Sequence, residues 1–231
     1  MVKEGYYFGL PLLLLAGAAY LLEWPVAVAV LLVVLALFVF SFFRDPERNI
    51  PGESGAIVSP ADGRVVVVTD EENAGRPGKR VSIFLAVWNV HVNRSPAAGF
   101  ISSLEYKPGK FLAAMREQAS LENEQNVFTL STDAGELVFR QIAGLIARRV
   151  VSWKKAGERV ARGERIGLVR FGSRADVWLP REAEIVVKVG DKVKGGASVL
   201  AKWVPQGLAA NRGERRSAEA AAGVPAAGKR T

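Results

Sequence analysis

The chain has no cysteine and a single histidine, His91. The first absence excludes a disulfide scaffold, a thiolate metal site and a catalytic cysteine. The second excludes a multi-histidine metal centre and sends any imidazole acid–base chemistry through His91. Acidic residues are in deficit, 23 Asp and Glu against 31 Lys and Arg, a formal net charge of +8. That excess suits an anionic partner such as anionic lipid or a phosphorylated substrate. Nucleic acid fits poorly, because the basic residues are dispersed and no aromatic–basic motif stands out.

What the chain has in abundance is apolar residues, 49% of the total, concentrated near its start. Tyr6 to Leu22 is nearly all apolar, Glu23-Trp24-Pro25 interrupts, and Val26 to Phe43 is apolar apart from Ser41. An 18-residue helix covers roughly 27 Å, close to a bilayer's hydrocarbon thickness. Residues 1–43 therefore predict a transmembrane helical hairpin, with Pro25 in the first turn of its second helix. Tyr6, Tyr7 and Trp24 suit the interface. Lys3 before the hairpin and Arg44 and Arg48 after it put both ends, and the domain that follows, on the cytoplasmic side of the cell membrane. A cleavable signal peptide is the rival reading, since Ala16-Gly17-Ala18 resembles a cleavage site. That tripeptide lies inside the apolar run, and a second long run follows it. A buried soluble hairpin is opposed by the lack of any polar face on Val26 to Phe40.

Residues 44–204 alternate short β-rich runs with turn residues. The runs are Gly63–Val68, Val81–Leu85, Val127–Leu130 and Glu184–Val189. Turn signals fall at Ala61-Asp62-Gly63, Arg76-Pro77-Gly78, Lys107-Pro108-Gly109, Val189-Gly190-Asp191 and Lys194-Gly195-Gly196. The fold class expected is mainly β (α+β), a compact sandwich or barrel-sandwich-hybrid-like domain. Phe111 to Glu117 reads as a short helix, and Gln141 to Val150 as helix or strand. The stretches 157–167 and 190–200 look alike, each Gly-acid-basic-Val followed by a glycine turn and an apolar strand. Either a duplication or two similar turns would give that pattern. Residues 205–231 lack large apolar side chains and read as a disordered tail.

Five stretches carry a family resemblance. They are Phe42-Phe43-Arg44-Asp45-Pro46-Glu47-Arg48, Ser59-Pro60-Ala61-Asp62-Gly63, Asn89-Val90-His91-Val92-Asn93-Arg94-Ser95-Pro96, Arg140 to Arg149, and Gly167 to Arg174. In order and spacing they resemble the short, membrane-associated form of the phosphatidylserine decarboxylase proenzyme family, over about residues 40–204. The resemblance implies self-cleavage between Gly172 and Ser173. Ser173 Oγ would attack the Gly172 carbonyl, and β-elimination of the ester would leave a pyruvoyl group. Residues 1–172 and 173–231 would then form an α/β heterodimer. The pyruvoyl carbonyl would condense with the serine amine of phosphatidylserine and take up the electrons left by CO2, giving phosphatidylethanolamine. No metal is implied.

The resemblance also implies a self-cleavage triad of Asp62, His91 and Ser173, with Asp62 orienting the imidazole. Arg94 stands where longer relatives carry a second histidine, so His91 covers both halves of the reaction or another group covers one. Arg94, Lys110, Arg140, Arg148 and Arg149 are candidates for the phosphate and carboxylate of the substrate. Arg148 and Arg149 would face opposite ways on a strand, so at most one enters the site. The competing reading is a non-enzymatic, membrane-anchored barrel-sandwich adaptor or carrier, which needs neither Ser173 nor His91.

Overall fold

The computed structural model describes residues 1–145, 149–170 and 172–204. The expected tail, Arg148 and the middle of the ambiguous 141–150 stretch lie outside the described residues.

Two helices, α1 (Lys3–Leu21) and α2 (Val26–Phe42), form the hairpin. They run antiparallel, with the start of α1 against the end of α2. A Cβ on Gly5 would press on Phe43, and one on Gly9 would lie within the Phe40 ring. These small residues let the helices approach closely. Most remaining apolar side chains of both helices face outward, Leu14, Leu21 and Val30 among them. No helix among the described residues is long and apolar enough to cross a membrane. At 17 residues, α2 covers about 26 Å against a hydrocarbon core of about 30 Å.

The rest is mainly β. An eight-stranded antiparallel sheet curls into a half-barrel, and two three-stranded sheets accompany it. The strands are β1 (Ala56–Val58), β2 (Gly63–Asn73), β3 (Arg76–Leu85), β4 (Val92–Arg94), β5 (Gly99–Lys107), β6 (Gln125–Thr132) and β7 (Gly135–Ile142). They continue as β8 (Val150–Ser152), β9 (Arg159–Val160), β10 (Arg165–Val169), β11 (Ser173–Pro180), β12 (Ala183–Ile185), β13 (Lys192–Val193) and β14 (Val199–Trp203). The large sheet has the order β13-β2-β3-β11-β7-β6-β5-β9; the small ones are β1-β14-β12 and β4-β10-β8. One turn of helix, α3 (Ala119–Glu122), precedes β6.

Alternate residues of the long strands supply the core. Val65, Ile83, Ile101, Phe128, Phe139 and Val177 are fully buried in one cluster, with Phe128 and Phe139 stacked at 5.5 Å. A second cluster joins the hairpin to the β domain: Val2, Phe42 and Phe43 against Val90, Val92 and Leu168.

The look-alike stretches occupy equivalent places. Strand β9 pairs with β5 as β13 pairs with β2, and β10 pairs with β4 as β14 pairs with β1. Their glycine turns make matching backbone bonds. Gly157 N–H donates to Ile101 and Gly190 N–H to Val65; Gly163 N–H donates to Ser95 and Gly196 N–H to Ser59. Ser59 and Ser95 each donate a hydroxyl to the carbonyl two residues on, at 2.7 Å. The β domain is thus built on an internal pseudo-twofold, and the duplication reading is the one that fits.

Some local expectations need correction. Phe111–Glu117 is turns and coil, and the helical turn comes at Ala119–Glu122. Asn123 explains this: its side chain bonds both the N–H and the carbonyl of Leu112, holding that segment non-helical. Arg76-Pro77-Gly78 lies inside β3, and the turn falls at Ala74-Gly75, where both φ angles are positive. Of Glu184–Val189 only the start is strand.

Candidate active site

Gly172 and Ser173 stand where β10 gives way to β11, the strand between β3 and β7 in the large sheet. Ser173 pairs with Leu85 across β3, and Arg174 pairs with Phe84 and with Ile142 of β7. Gly172 has φ +64°, a left-handed conformation that costs other residues roughly 1–2 kcal/mol. Ser173 is fully buried, and its hydroxyl has no hydrogen-bond partner among the described residues. A buried hydroxyl left unpaired costs about 1–3 kcal/mol, so this one is held for something other than stability.

His91 meets this bond. It lies between the 86–90 loop and β4, buried, and its Nε2 accepts the Gly172 N–H at 3.3 Å. On the other side of the ring, Nδ1 lies 2.9 Å from the Asn89 carbonyl. A carbonyl only accepts, so Nδ1 carries the proton and Nε2 presents its lone pair to the Gly172–Ser173 segment. Phe42, the last residue of α2, lies over the imidazole with ring centroids 4.2 Å apart. Burial pushes the His91 pKa down to about 4, opposed by the Asn89 bond and aided by the nearby Arg44 guanidinium. The imidazole is therefore a neutral base at physiological pH.

The Gly172 carbonyl rests on Gly144, where a Cβ would collide with the oxygen; Ala114 closes the same wall. Asn123 ties that wall together, donating to both the Leu112 and Ala143 carbonyls. Behind the bond, Arg174 is fully buried. Its Nε donates to Asp176 at 2.7 Å and its Nη2 to Ser82 at 2.7 Å. Asp176 also accepts from Ser120 at 2.7 Å and meets Arg80, which reaches Glu71. This network moors the first residues of β11.

The structure brings His91 to the Gly172 N–H, one residue before Ser173, and it does not bring Asp62 to the imidazole. Asp62 is taken by a two-pronged pair with Arg48, at 2.9 and 2.8 Å, and accepts the Gly195 N–H at 2.8 Å. The Asn89 carbonyl does the orienting that the sequence assigned to Asp62. Arg48 belongs to the chain leaving the hairpin, so Asp62 clamps that exit to the β domain. Arg94 does the same, bonding Asp45 at 2.9 Å and the carbonyls of Pro46 and Gly163.

Lys110 and Arg140 are also elsewhere. Lys110 is exposed and paired with Glu122 at 2.8 Å, which raises its pKa. Arg140 pairs with Glu71 at 2.8 Å beside a charged cavity of about 460 Å³ that includes Arg80, Lys107 and Glu117. Arg149 is exposed. Sequence reasoning missed the Asn89 carbonyl, Gly144, and the Arg174–Asp176 pair. The last left a trace, since opposite charges two apart in an apolar strand share a face.

The phosphatidylserine decarboxylase family profile matches residues 35–201. Relatives named phosphatidylserine decarboxylase proenzyme include one from Symbiobacterium thermophilum, 48% identical over 89% of this chain and 96% of its own. Another from Solibacter usitatus is 48% identical over 87% and 96%. A third, from Geotalea uraniireducens, is 46% identical over 87% and 95%. The match runs through the hairpin's end, the His91 loop and the Gly172–Ser173 bond alike, and on it the chain belongs to the phosphatidylserine decarboxylase family.

Proposed function

We propose that this chain is a proenzyme that cuts itself between Gly172 and Ser173 and then decarboxylates phosphatidylserine to phosphatidylethanolamine and CO2. One observation carries the reading: a buried serine hydroxyl, without a partner among the described residues, follows a left-handed glycine whose N–H meets a neutral imidazole. His91 Nε2 takes the Ser173 hydroxyl proton. The oxygen attacks the Gly172 carbonyl, the C–N bond breaks, and an ester joins the two parts. Elimination of the ester and loss of ammonia on hydrolysis turn residue 173 into a pyruvoyl group. Products of 172 and 59 residues follow from the 231-residue chain.

The surroundings fit such a group. Residue 173 is buried, its hydroxyl makes no bond to a described residue that cleavage would break, and Arg174 is anchored independently of it. The group supplies an electron sink for loss of CO2. His91 holds a proton-accepting nitrogen beside it, Phe42 covers the imidazole ring, and Gly144 leaves room for a carbonyl.

The hairpin is proposed to lie in the cell membrane, with the β domain on the cytoplasmic side. The outward-facing apolar side chains of both helices and the flanking Lys3, Arg44 and Arg48 support this. Their lengths, short of the hydrocarbon thickness, favour shallow insertion or a locally thinned bilayer.

Intact-mass measurement beside a Ser173→Ala variant tests the function. The wild type should appear as two chains, the smaller with a blocked terminus that hydroxylamine modifies, and the variant as one. A wild type that stays whole in membranes overturns the enzyme reading and favours a membrane-anchored adaptor.

A further inference from the structure

Three large apolar side chains are exposed on the segments that build the Gly172–Ser173 site. Trp88, Met115 and Leu145 are 77%, 68% and 65% exposed. Each adjoins a residue that builds the site. Trp88 precedes Asn89, whose carbonyl holds the imidazole. Met115 follows Ala114 and Leu145 follows Gly144, the pair that walls the Gly172 carbonyl.

Single exposed apolar residues are ordinary. The segment that carries Trp88 is tied to the exit of the apolar hairpin. Arg44, just past α2, donates to the Trp88 carbonyl at 2.7 Å. The Arg170 guanidinium lies 5.3 Å over the Phe8 ring of α1, and the Arg170 backbone N–H donates to the Arg149 carbonyl. Arg44, Arg116, Arg149 and Arg170 therefore lie on or beside the segments that carry the apolar side chains, where phosphate groups would meet them. The turns at the far ends of the strands, Ala74-Gly75 and Asp133-Ala134, carry no large apolar side chain, and Arg76 beside them is paired with Glu136.

We propose that Trp88, Met115 and Leu145 enter the headgroup–acyl boundary of a bilayer containing anionic phospholipid, so that the mouth of the site opens onto lipid rather than water. The inference rests on the membrane reading of the hairpin. It accounts for how a lipid headgroup reaches a fully buried residue 173: the headgroup moves in from the interface while its acyl chains stay in the membrane.

The cysteine-free sequence makes the test direct. Trp88→Cys, Met115→Cys and Leu145→Cys would each be labelled with an environment-sensitive nitrobenzoxadiazole dye. Leu14→Cys on the hairpin and Ala74→Cys at the far turn serve as references. The full chain is reconstituted into phosphatidylcholine–phosphatidylserine vesicles, with or without brominated acyl chains, and self-cleavage is followed by mass in the same samples. Labels at 88, 115, 145 and 14 should shift to the blue and lose intensity to bromine, and the label at 74 should do neither. If 88, 115 and 145 behave like 74 while 14 is quenched, the proposal falls and the hairpin reading stands. If 14 is also unquenched, both fall. Quenching at every position, 74 included, indicates non-specific adsorption and overturns the proposal too. An uncut chain would count against the decarboxylase reading alone.

Discussion

Replacing Phe42 isolates what the hairpin contributes to the chemistry. The ring ends α2 and covers the imidazole at 4.2 Å, while burial holds the His91 pKa at about 4 instead of 6.5. That difference is worth about 3 kcal/mol between the two protonation states. Phe42→Ala opens the imidazole to water and should return most of it. At about pH 5.5, an imidazole of pKa about 4 is about 97% neutral, whereas one at 6.5 is about 9% neutral. The variant should therefore cleave itself roughly tenfold more slowly there than at about pH 8, where the wild-type profile is flat. The truncation also costs about 3–5 kcal/mol of packing. Phe42→Leu, which keeps most of the volume, serves as the milder partner, with a smaller shift in the same direction. The assay is the rate of chain cleavage against pH, read by mass after refolding. An acid limb that stays at the wild-type position in both variants would refute the idea that the ring sets the proton affinity of His91.

Other outcomes follow from the same geometry. Gly144→Ala should reduce self-cleavage by well over tenfold, because its methyl displaces the Gly172 carbonyl; Gly172→Ala, which meets only backbone strain, should slow it by about tenfold. Gel quantitation of uncut chain separates the two. Asp62→Asn should lower stability by about 3 kcal/mol in denaturant titrations on a Ser173→Ala background, since it leaves Arg48 buried without its counter-charge. It should leave the acid limb of cleavage in place; a moved limb would show that Asp62 acts on the imidazole after all. Stability of the uncut Ser173→Ala chain should fall as pH drops below about 6.5 toward about 4, by about 3 kcal/mol from His91 alone. The sign follows from the depressed folded pKa: the unfolded chain takes up a proton that the folded one refuses. A His91→Gln partner on the same background should lose that component.

The hairpin and the β-rich character were legible because they rest on apolar runs and on turn residues that punctuate short strands. The pseudo-twofold was visible in 157–167 and 190–200, but only the pairing of β9 with β5 and β13 with β2 separates duplication from coincidence. The site was legible as residue types and not as partners. His91 and Ser173 are named by their chemistry, whereas the group that orients His91 is a backbone carbonyl, which no side-chain pattern encodes. Asp62 was assigned by resemblance, and Arg48 outcompetes the imidazole for it with two hydrogen bonds. Arg94 and Arg140 looked like anion binders because arginine usually is one. Their carboxylate partners, Asp45 and Glu71, lie 49 and 69 residues away, and nothing local announces them.

The position of β11 has a consequence for the life of the molecule. The cut would fall at the edge of a strand hydrogen-bonded on both sides, and β13 and β14 beyond it pair with β2 and β1 before it. The two products would be woven through each other and could separate only by unfolding. Before the cut, folding concerns one chain and is independent of concentration. After it, the unfolded state is two chains, stability depends on their concentration, and the serine that made the cut is gone. Such a protein can be made ready once; a processed copy that melts has no route back except by reassembly of its halves.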